Sequence, residues 1–512
     1  MSDNFNKNRI LKNSLLLYVR MLFTMWLNLW TTRLVLANLG VEDMGVYSIV
    51  GSIVGLVSVF TGGVTNAVQR FITYEAGKSD GNTNNVFCTS LNIVFILSAI
   101  VLLLLEIGGV YMLYHSVKIP QDSMNAAFWV LQLSIITCIV NLISIPYNAL
   151  IIAHEKMDAF AVISLLQVVF TFGSVYCLSF FDNRLLVYGV MMAVISVVIR
   201  LIYQFYCHSN FEESKYRFIV DRQMLKQIGK FTGVSTASGA LQIVSSQGII
   251  FVINWTFGVA VNAVFSIALQ LKNSILSFAL NLFKAISPQI TKTYANNEIA
   301  AHKKLVYSGS KMEIYLIYFI MIPFLFQTEY IMKLWLGNVP RYTVEFAQCT
   351  VFISLIYAMF EPIRASVLAT NRITRFLICP ELFYLLVLPM GYVVSRTWNN
   401  PVWLIAVIVG MDVLTCIFRI YYAVKVSPLC VREIMVSIVF PALWVAIVDS
   451  MLCYFISNMV NPNFIGLIVL LILNSIGLMG IIFCVGLNRM ERNSCWVLIH
   501  KIQNRISLQI KR

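Results

Sequence analysis

Apolar runs of about 20 residues, each long enough to cross a bilayer as a helix, follow one another along almost the whole chain. About fourteen spans are predicted, beginning near Leu11, Gly45, Val86, Ser123, Met157, Leu185, Ile228, Val259, Val306, Val344, Phe376, Val402, Ile434 and Phe464. Within this pattern the chain repeats itself after 218 residues. Leu39 to Ile49 realigns on Phe257 to Ile267, with Gly40/Gly258, Val41/Val259, Val46/Val264, Ser48/Ser266 and Ile49/Ile267 identical. Ala67/Ala285, Ile72/Ile290 and Thr73/Thr291 follow at the same shift, and Pro146 and Ala149 of the fourth span match Pro362 and Ala365 at a shift of 216. Proline inside a span removes a backbone hydrogen bond, so two kinks are expected at equivalent places, or two prolines simply tolerated by packing.

An even number of spans per copy gives both copies the same orientation. The expected fold is therefore an all-α integral membrane protein of about 14 transmembrane helices. Two parallel six-helix repeats would form N and C lobes around a central cavity, with two extra C-terminal helices. The boundaries fall at 1–208 for the N-lobe, 209–226 for a cytoplasmic linker, 227–425 for the C-lobe, 426–488 for the last two spans and 489–512 for a basic tail. In the tail, Trp496, Ile499, Ile502, Ile506 and Ile510 recur at helical spacing among Lys and Arg, as in a helix lying on a membrane surface.

The polar positions inside the spans carry the candidate chemistry. In the eighth span Asn262, Ser266, Gln270, Asn273, Ser277, Asn281 and Lys284 follow at steps of three or four and share one helix face. Facing lipid they would be costly, so the stripe looks into a hydrated cavity or forms a packing seam between helices. The repeat places Ser48, Ser52, Gly55, Gly63, Asn66 and Arg70 on the matching face of the second span. The first span adds Arg20, Thr24, Asn28 and Thr31, and the seventh Ser238, Gln242 and Ser246. Four helices would thus enclose one chamber whose charges are positive, at Arg20, Lys284 and Arg70. A buried cation without a counter-ion calls for an anionic ligand, although Lys284 and Arg70 could equally reach out to lipid headgroups. Lys272 and Arg33 fall off these faces. Glu361 and Arg364, one turn apart, are expected to pair, and Glu106, Glu381, Asp412 and Asp449 remain as candidates for ion coupling, Glu106 and Asp412 foremost.

Hydrophobic residues make up 59% of the 512 and charged ones 12%, which excludes a soluble enzyme core. The net charge of +14 is chiefly a topology signal: most basic loop residues fall on the side of the N-terminus, which places both termini in the cytoplasm. Lipid phosphates account for that charge without a nucleic-acid partner. The cysteines lie mostly inside apolar spans with no CxxC spacing, so neither a disulfide framework nor a metal site is expected, and no cofactor is implied. The first apolar run leads directly into a full span, so no cleavable signal is read.

Asn8-Arg-Ile-Leu-Lys-Asn-Ser14, Leu39-Gly-Val-Glu-Asp-Met-Gly-Val-Tyr47 and Gln69-Arg-Phe-Ile-Thr-Tyr-Glu-Ala-Gly-Lys-Ser-Asp80 resemble the first two spans of Wzx-type polysaccharide exporters. These belong to the multidrug/oligosaccharidyl-lipid/polysaccharide (MOP, MATE-like) superfamily. The resemblance implies a flippase of the bacterial inner membrane that moves an isoprenyl-diphosphate-linked oligosaccharide, an O-antigen or capsule unit, by alternating access. It also implies a monomer working among membrane lipids, beside a polysaccharide polymerase and glycosyltransferases. Family members have a cationic central cavity, which agrees with Arg20 and the Lys284/Arg70 region; their further cations in the seventh span have no counterpart here. The substrate set read in this way is Arg20, Thr24, Asn28, Asn66, Arg70, Gln242, Gln270, Asn273, Asn281 and Lys284. An ion-coupled multidrug exporter is the alternative within the superfamily, but cationic drugs would favour carboxylates in the chamber. A membrane polymerase or ligase is the enzymatic alternative; the short outer loops leave little room for its active site.

Overall fold

In hydrocarbon no water can satisfy a backbone amide, so each spanning segment must close its hydrogen bonds within itself, and the long apolar runs fold as helices. The computed structural model describes residues 2–76, 82–154, 156–217, 222–370, 374–461, 463–489 and 491–493. For 2–21, 222–238 and scattered positions within 59–76, 281–295 and 374–377 it describes the backbone alone. The helices are α1 (Ser2–Gly55), α2 (Ser58–Ala76), α3 (Thr83–Leu104), α4 (Val110–His115), α5 (Gln121–Ala153), α6 (Met157–Cys177), α7 (Arg184–Asn210), α8 (Arg222–Phe257) and α9 (Val259–Ala295). They continue with α10 (Ile299–Phe326), α11 (Thr328–Leu336), α12 (Thr343–Ala369), α13 (Thr374–Tyr384), α14 (Val387–Trp398), α15 (Pro401–Val426), α16 (Val431–Ile434), α17 (Phe440–Met459) and α18 (Phe464–Ile481).

Thirteen segments among the described residues are long and apolar enough to cross a membrane. The first, Leu22–Gly55, runs through a break at Gly40 and so joins two helical pieces, which is where the count differs from the fourteen predicted. Gly40 has φ 80° and Gly258, its partner in the repeat, φ 82°, a left-handed backbone that favours glycine. Both copies therefore turn between consecutive spans by the same device. Pro146 and Pro362 lie inside α5 and α12, each of which continues past its proline.

Two compact units are present, Met1–Gln270 with Trp335–Phe346 and Leu377–Met411, and Leu271–Leu334 with Ala347–Phe376 and Asp412–Arg512. In the first unit α5 packs on α7 and α2, α1 on α6 and α5, and α8 on α2 and α14. At Gly45 the backbones approach closely, a Cβ there standing 2.0 Å from the carbonyl oxygen of Val259, and beside it the hydroxyls of Ser48 and Ser266 are hydrogen-bonded. In this unit the loop before α5 is bonded to α8, and α11 to α1. The Asn254 side chain accepts from the Lys118 amide at 2.6 Å and donates to its carbonyl at 3.0 Å, while the Trp335 indole donates to Leu29 O at 2.7 Å.

In the second unit α10 packs on α17 and α18. It holds one buried ion pair and a second, more exposed one. Lys311, 3% exposed, pairs with Glu491 at 2.5 Å, and Ser308 donates to the same carboxylate at 2.9 Å. Lys303 pairs with Glu433 at 2.9 Å, and Tyr307 donates to that carboxylate at 2.7 Å. The imidazole of His302 lies between Ile290 O and the Ser366 hydroxyl, at 2.9 and 2.7 Å.

Candidate functional site

The stripe predicted on α9 divides into two parts. Asn262 is fully buried, Ser266 is bonded to Ser48, and Gln270 is held by α1, its amide donating to Asn28 O at 2.9 Å while the Thr32 hydroxyl bonds its Oε1. Ser266 and Gln270 thus form a seam with α1, while the buried Asn262 amide has no hydrogen-bond partner among the described residues. Asn273 and Ser277, further along the same face, are exposed. Of the remaining predicted substrate residues, Asn28 and Gln242 present exposed side chains and Thr24 is half-buried. The side chains of Arg20, Asn66, Arg70, Asn281 and Lys284 lie outside the described residues, as does the tail from Trp496 onward.

The charges read as off-stripe or coupling residues are accounted for locally. Arg33 stacks over Trp30 at 5.4 Å. Lys272 lies 5.0 Å over the ring of Tyr357 and within electrostatic reach of Asp412. The Tyr357 hydroxyl donates to Asp412, itself 4% exposed, at 3.3 Å. Glu106 sits in a π-helical turn, Leu105–Gly109, and accepts from Gln132 at 3.1 Å. Arg364 donates to Glu361 through two nitrogens at 2.9 and 2.7 Å, as the one-turn spacing predicts. Asp449 is fully buried and accepts from Asn474 at 3.2 Å.

Sequence reasoning missed two features. One is Glu313, fully buried in α10 with neither carboxylate oxygen hydrogen-bonded among the described residues; its signal was an acidic residue in the middle of a span. The other is a recess in the first unit. One chamber of about 470 Å³ is lined by the end of α1, α2, α5 and α7, and a second of about 370 Å³ by α2, α5, α6 and α7. The two share Thr65, Asn141 and Ile145, so they are parts of one recess. Its wall on α5 is Ser134, Thr137, Asn141, Ser144 and Asn148, and on α2 Thr61, Thr65 and Gln69. Both sets fall at steps of three or four, a stripe as regular as that of α9. Among the described lining residues none carries a formal charge.

Taken together, the described residues form an all-helical membrane fold with a polar recess between spanning helices. Three solved structures give that architecture particular counterparts. The chain is similar to the Lipid II flippase MurJ in an inward closed conformation, with TM-score 0.71 and 12% identity over 92% of this chain and 99% of that one. It is similar to an inward-facing multidrug resistance MATE family transporter of the MOP superfamily, with TM-score 0.62 and 16% identity over 78% of this chain and 94% of that one. A MATE transporter in complex with MaD3S matches with TM-score 0.57 and 15% identity over 82% and 95%. The chain has the fold of these proteins. No protein-family model matches the sequence, and no curated protein matches it. Among the described residues no three His, Cys, Asp or Glu side chains converge as a metal set, and the described cysteines are free thiols.

Proposed function

We propose that the chain is a MOP-superfamily transporter, not an enzyme, and within it a flippase that carries a lipid-diphosphate-linked oligosaccharide across the bacterial inner membrane. Two six-span repeats act as lobes that open alternately to the two faces, with the termini in the cytoplasm. The observation that carries this reading is the extent of the likeness to the Lipid II flippase: 92% of this chain is covered, against 78% for the inward-facing drug transporter. A headgroup bearing phosphates and hydroxyls meets a barrier of several kcal/mol for each polar group taken unsatisfied into hydrocarbon, on the order of 2–7. A polar chamber lowers that barrier by replacing water, and no bond is made or broken. Arg20, with Lys284 and Arg70, supplies positive charge for the diphosphate. Thr24, Asn28, Asn66, Gln242, Asn273 and Asn281 supply hydrogen bonds, and Glu106 or Asp412 couples the cycle to an ion. A second reading, ion-coupled export of small molecules, is favoured by the MATE likenesses.

Reconstitution in liposomes tests the proposal. An isoprenyl-diphosphate oligosaccharide should become accessible to an added impermeant glycosidase faster with the protein than without it. Arg20→Ala should lower that rate at least about tenfold, the weight of one charge-assisted contact, while Arg20→Lys retains part of it. A normal rate in a stably folded Arg20→Ala protein overturns the cationic site. No acceleration with any imposed proton or sodium gradient, together with gradient-driven uptake of a small cation, shifts the assignment to drug export.

A further inference from the structure

The recess in the first unit differs in kind from a phosphate site. Four amide side chains line it, Gln69, Asn141, Asn148 and Gln167, and none of them makes a side-chain hydrogen bond among the described residues. Asn141 and Gln167 are exposed although both lie inside membrane-spanning segments. A primary amide offers two donors and an acceptor, so four unbonded amides leave about a dozen hydrogen-bonding positions open at one surface. Leaving them unsatisfied in a membrane interior is unfavourable, so water or a ligand must complete them. The hydroxyls between them behave differently. Thr65, Thr137 and Ser144 donate to the carbonyls of Thr61, Leu133 and Val140 at 2.8, 2.9 and 2.8 Å, and therefore face the recess as acceptors. Tyr203 and Phe160 add apolar ring surface to the same wall.

This combination of amide donor-acceptors, hydroxyl acceptors, aromatic surface and no formal charge among the described lining residues fits a neutral carbohydrate. Diphosphate would find no cation on this wall, and a cationic drug no carboxylate. Chambers of about 470 and 370 Å³ each fall within the range of ligand clefts, roughly 300–1,000 Å³. We propose that this recess of the first unit is a glycan site that holds uncharged sugar residues of the headgroup through Gln69, Asn141, Asn148 and Gln167. The proposal rests on the flippase reading and divides the labour within it: cations elsewhere take the diphosphate, and this wall reads the sugars and sets which glycan is accepted.

Two measurements separate the proposal from the reading beneath it. The first is thermal unfolding of the purified full chain with a panel of neutral trisaccharides, with and without N-acetyl groups. At least one should raise the melting temperature, and Asn141→Leu/Asn148→Leu should abolish the shift while folding normally; Asn148→Ala alone should reduce it. The second compares flipping of two lipids on the same diphosphate carrier, one bearing a single sugar and one an oligosaccharide. The double variant should lower the oligosaccharide-to-monosaccharide rate ratio about tenfold, the equivalent of one or two net hydrogen bonds. An unchanged ratio, or no protection of the wild-type protein by any sugar, overturns the glycan site. Sugar protection with no flipping of either lipid overturns the flippase reading and leaves the glycan site standing.

Discussion

The recess on α5 and the ionic cluster on α12 occupy corresponding places in the proposed repeat register, and they have been built in opposite ways. Asn141 of α5 corresponds to Tyr357 of α12 at the shift that aligns Pro146 with Pro362. Val54, which lines the recess, corresponds to Lys272, and Ala193 to Asp412, the last by a register that also superposes Arg200 and Tyr203 on Arg419 and Tyr422. Asn141 and Val54, both short, line a chamber of about 470 Å³ in the first unit. Their larger, charged counterparts fill the second: Lys272 covers Tyr357, Tyr357 reaches Asp412, and the space beside them is about 10 Å³, the room of a single water. One half keeps its polar groups open for something outside the protein, whereas the other satisfies them with one another. The difference teaches where substitutions should be felt as lost stability and where as lost recognition.

The largest expected effect lies in the ionic interior of the second unit. Glu491→Ala removes the carboxylate paired with buried Lys311, and stranding one partner of a buried pair costs about 3–5 kcal/mol. Thermal unfolding in detergent should show the loss, and a change of under about 1 kcal/mol would mean that this interior is hydrated like a surface. The pH dependence has a definite sign. Burial raises the Glu491 carboxyl, but hydrogen bonds from Lys311, the Asn488 amide and Ser308, with the Lys311 charge, outweigh it and hold the group below the usual carboxylate range. Its contribution is therefore fully present above the unfolded value of about 4.3 and is lost as pH falls through the lower folded value. Wild-type protein should lose stability on that acid limb, and Glu491→Ala should lack this part of it.

In the first unit the corresponding weak point is backbone contact, not charge. Gly45→Ala would place a methyl 2.0 Å from Val259 O, a contact that no rotamer change relieves. Either the two helices separate or the turn after Gly258 shifts, at a cost of about 1–3 kcal/mol, typical of overpacking. Unaltered melting would show that α1 and α9 part here without cost. The comparison would then rest on the recess alone.

How much of this was legible in the sequence follows the same division. Gly40 and Gly258 could be aligned in the sequence because a left-handed turn favours glycine, and both carry that backbone, with φ 80° and 82°. Helix faces were visible too, since a step of three or four fixes the face. What that step cannot fix is what the face meets. Ser266 and Gln270 belong to a seam because Ser48, Asn28 and Thr32 stand opposite, more than 200 residues away. The α5 stripe was overlooked because three of its five members are Ser or Thr, of which Thr137 and Ser144 satisfy themselves on their own helix and pass as ordinary residues of a span. Lys311 and Glu491 are separated by 180 residues, and nothing local announces their pairing.

The smallest expected effect is the most discriminating. Asn141 makes no side-chain hydrogen bond among the described residues, so Asn141→Leu strands no partner, and its stability effect should stay within about 0.5 kcal/mol of zero. The corresponding change in the other half, Tyr357→Leu, removes both the ring beneath Lys272 and the donor to Asp412 and cannot be silent. Melting of the two variants side by side therefore tests the open and filled halves directly. Equal destabilisation would mean that the Asn141 amide serves the fold and that the recess is a packing defect. A silent Asn141→Leu that loses protection by sugar leaves recognition as the reason for an amide there, because a residue that the fold does not use and the membrane penalises needs a ligand to account for it.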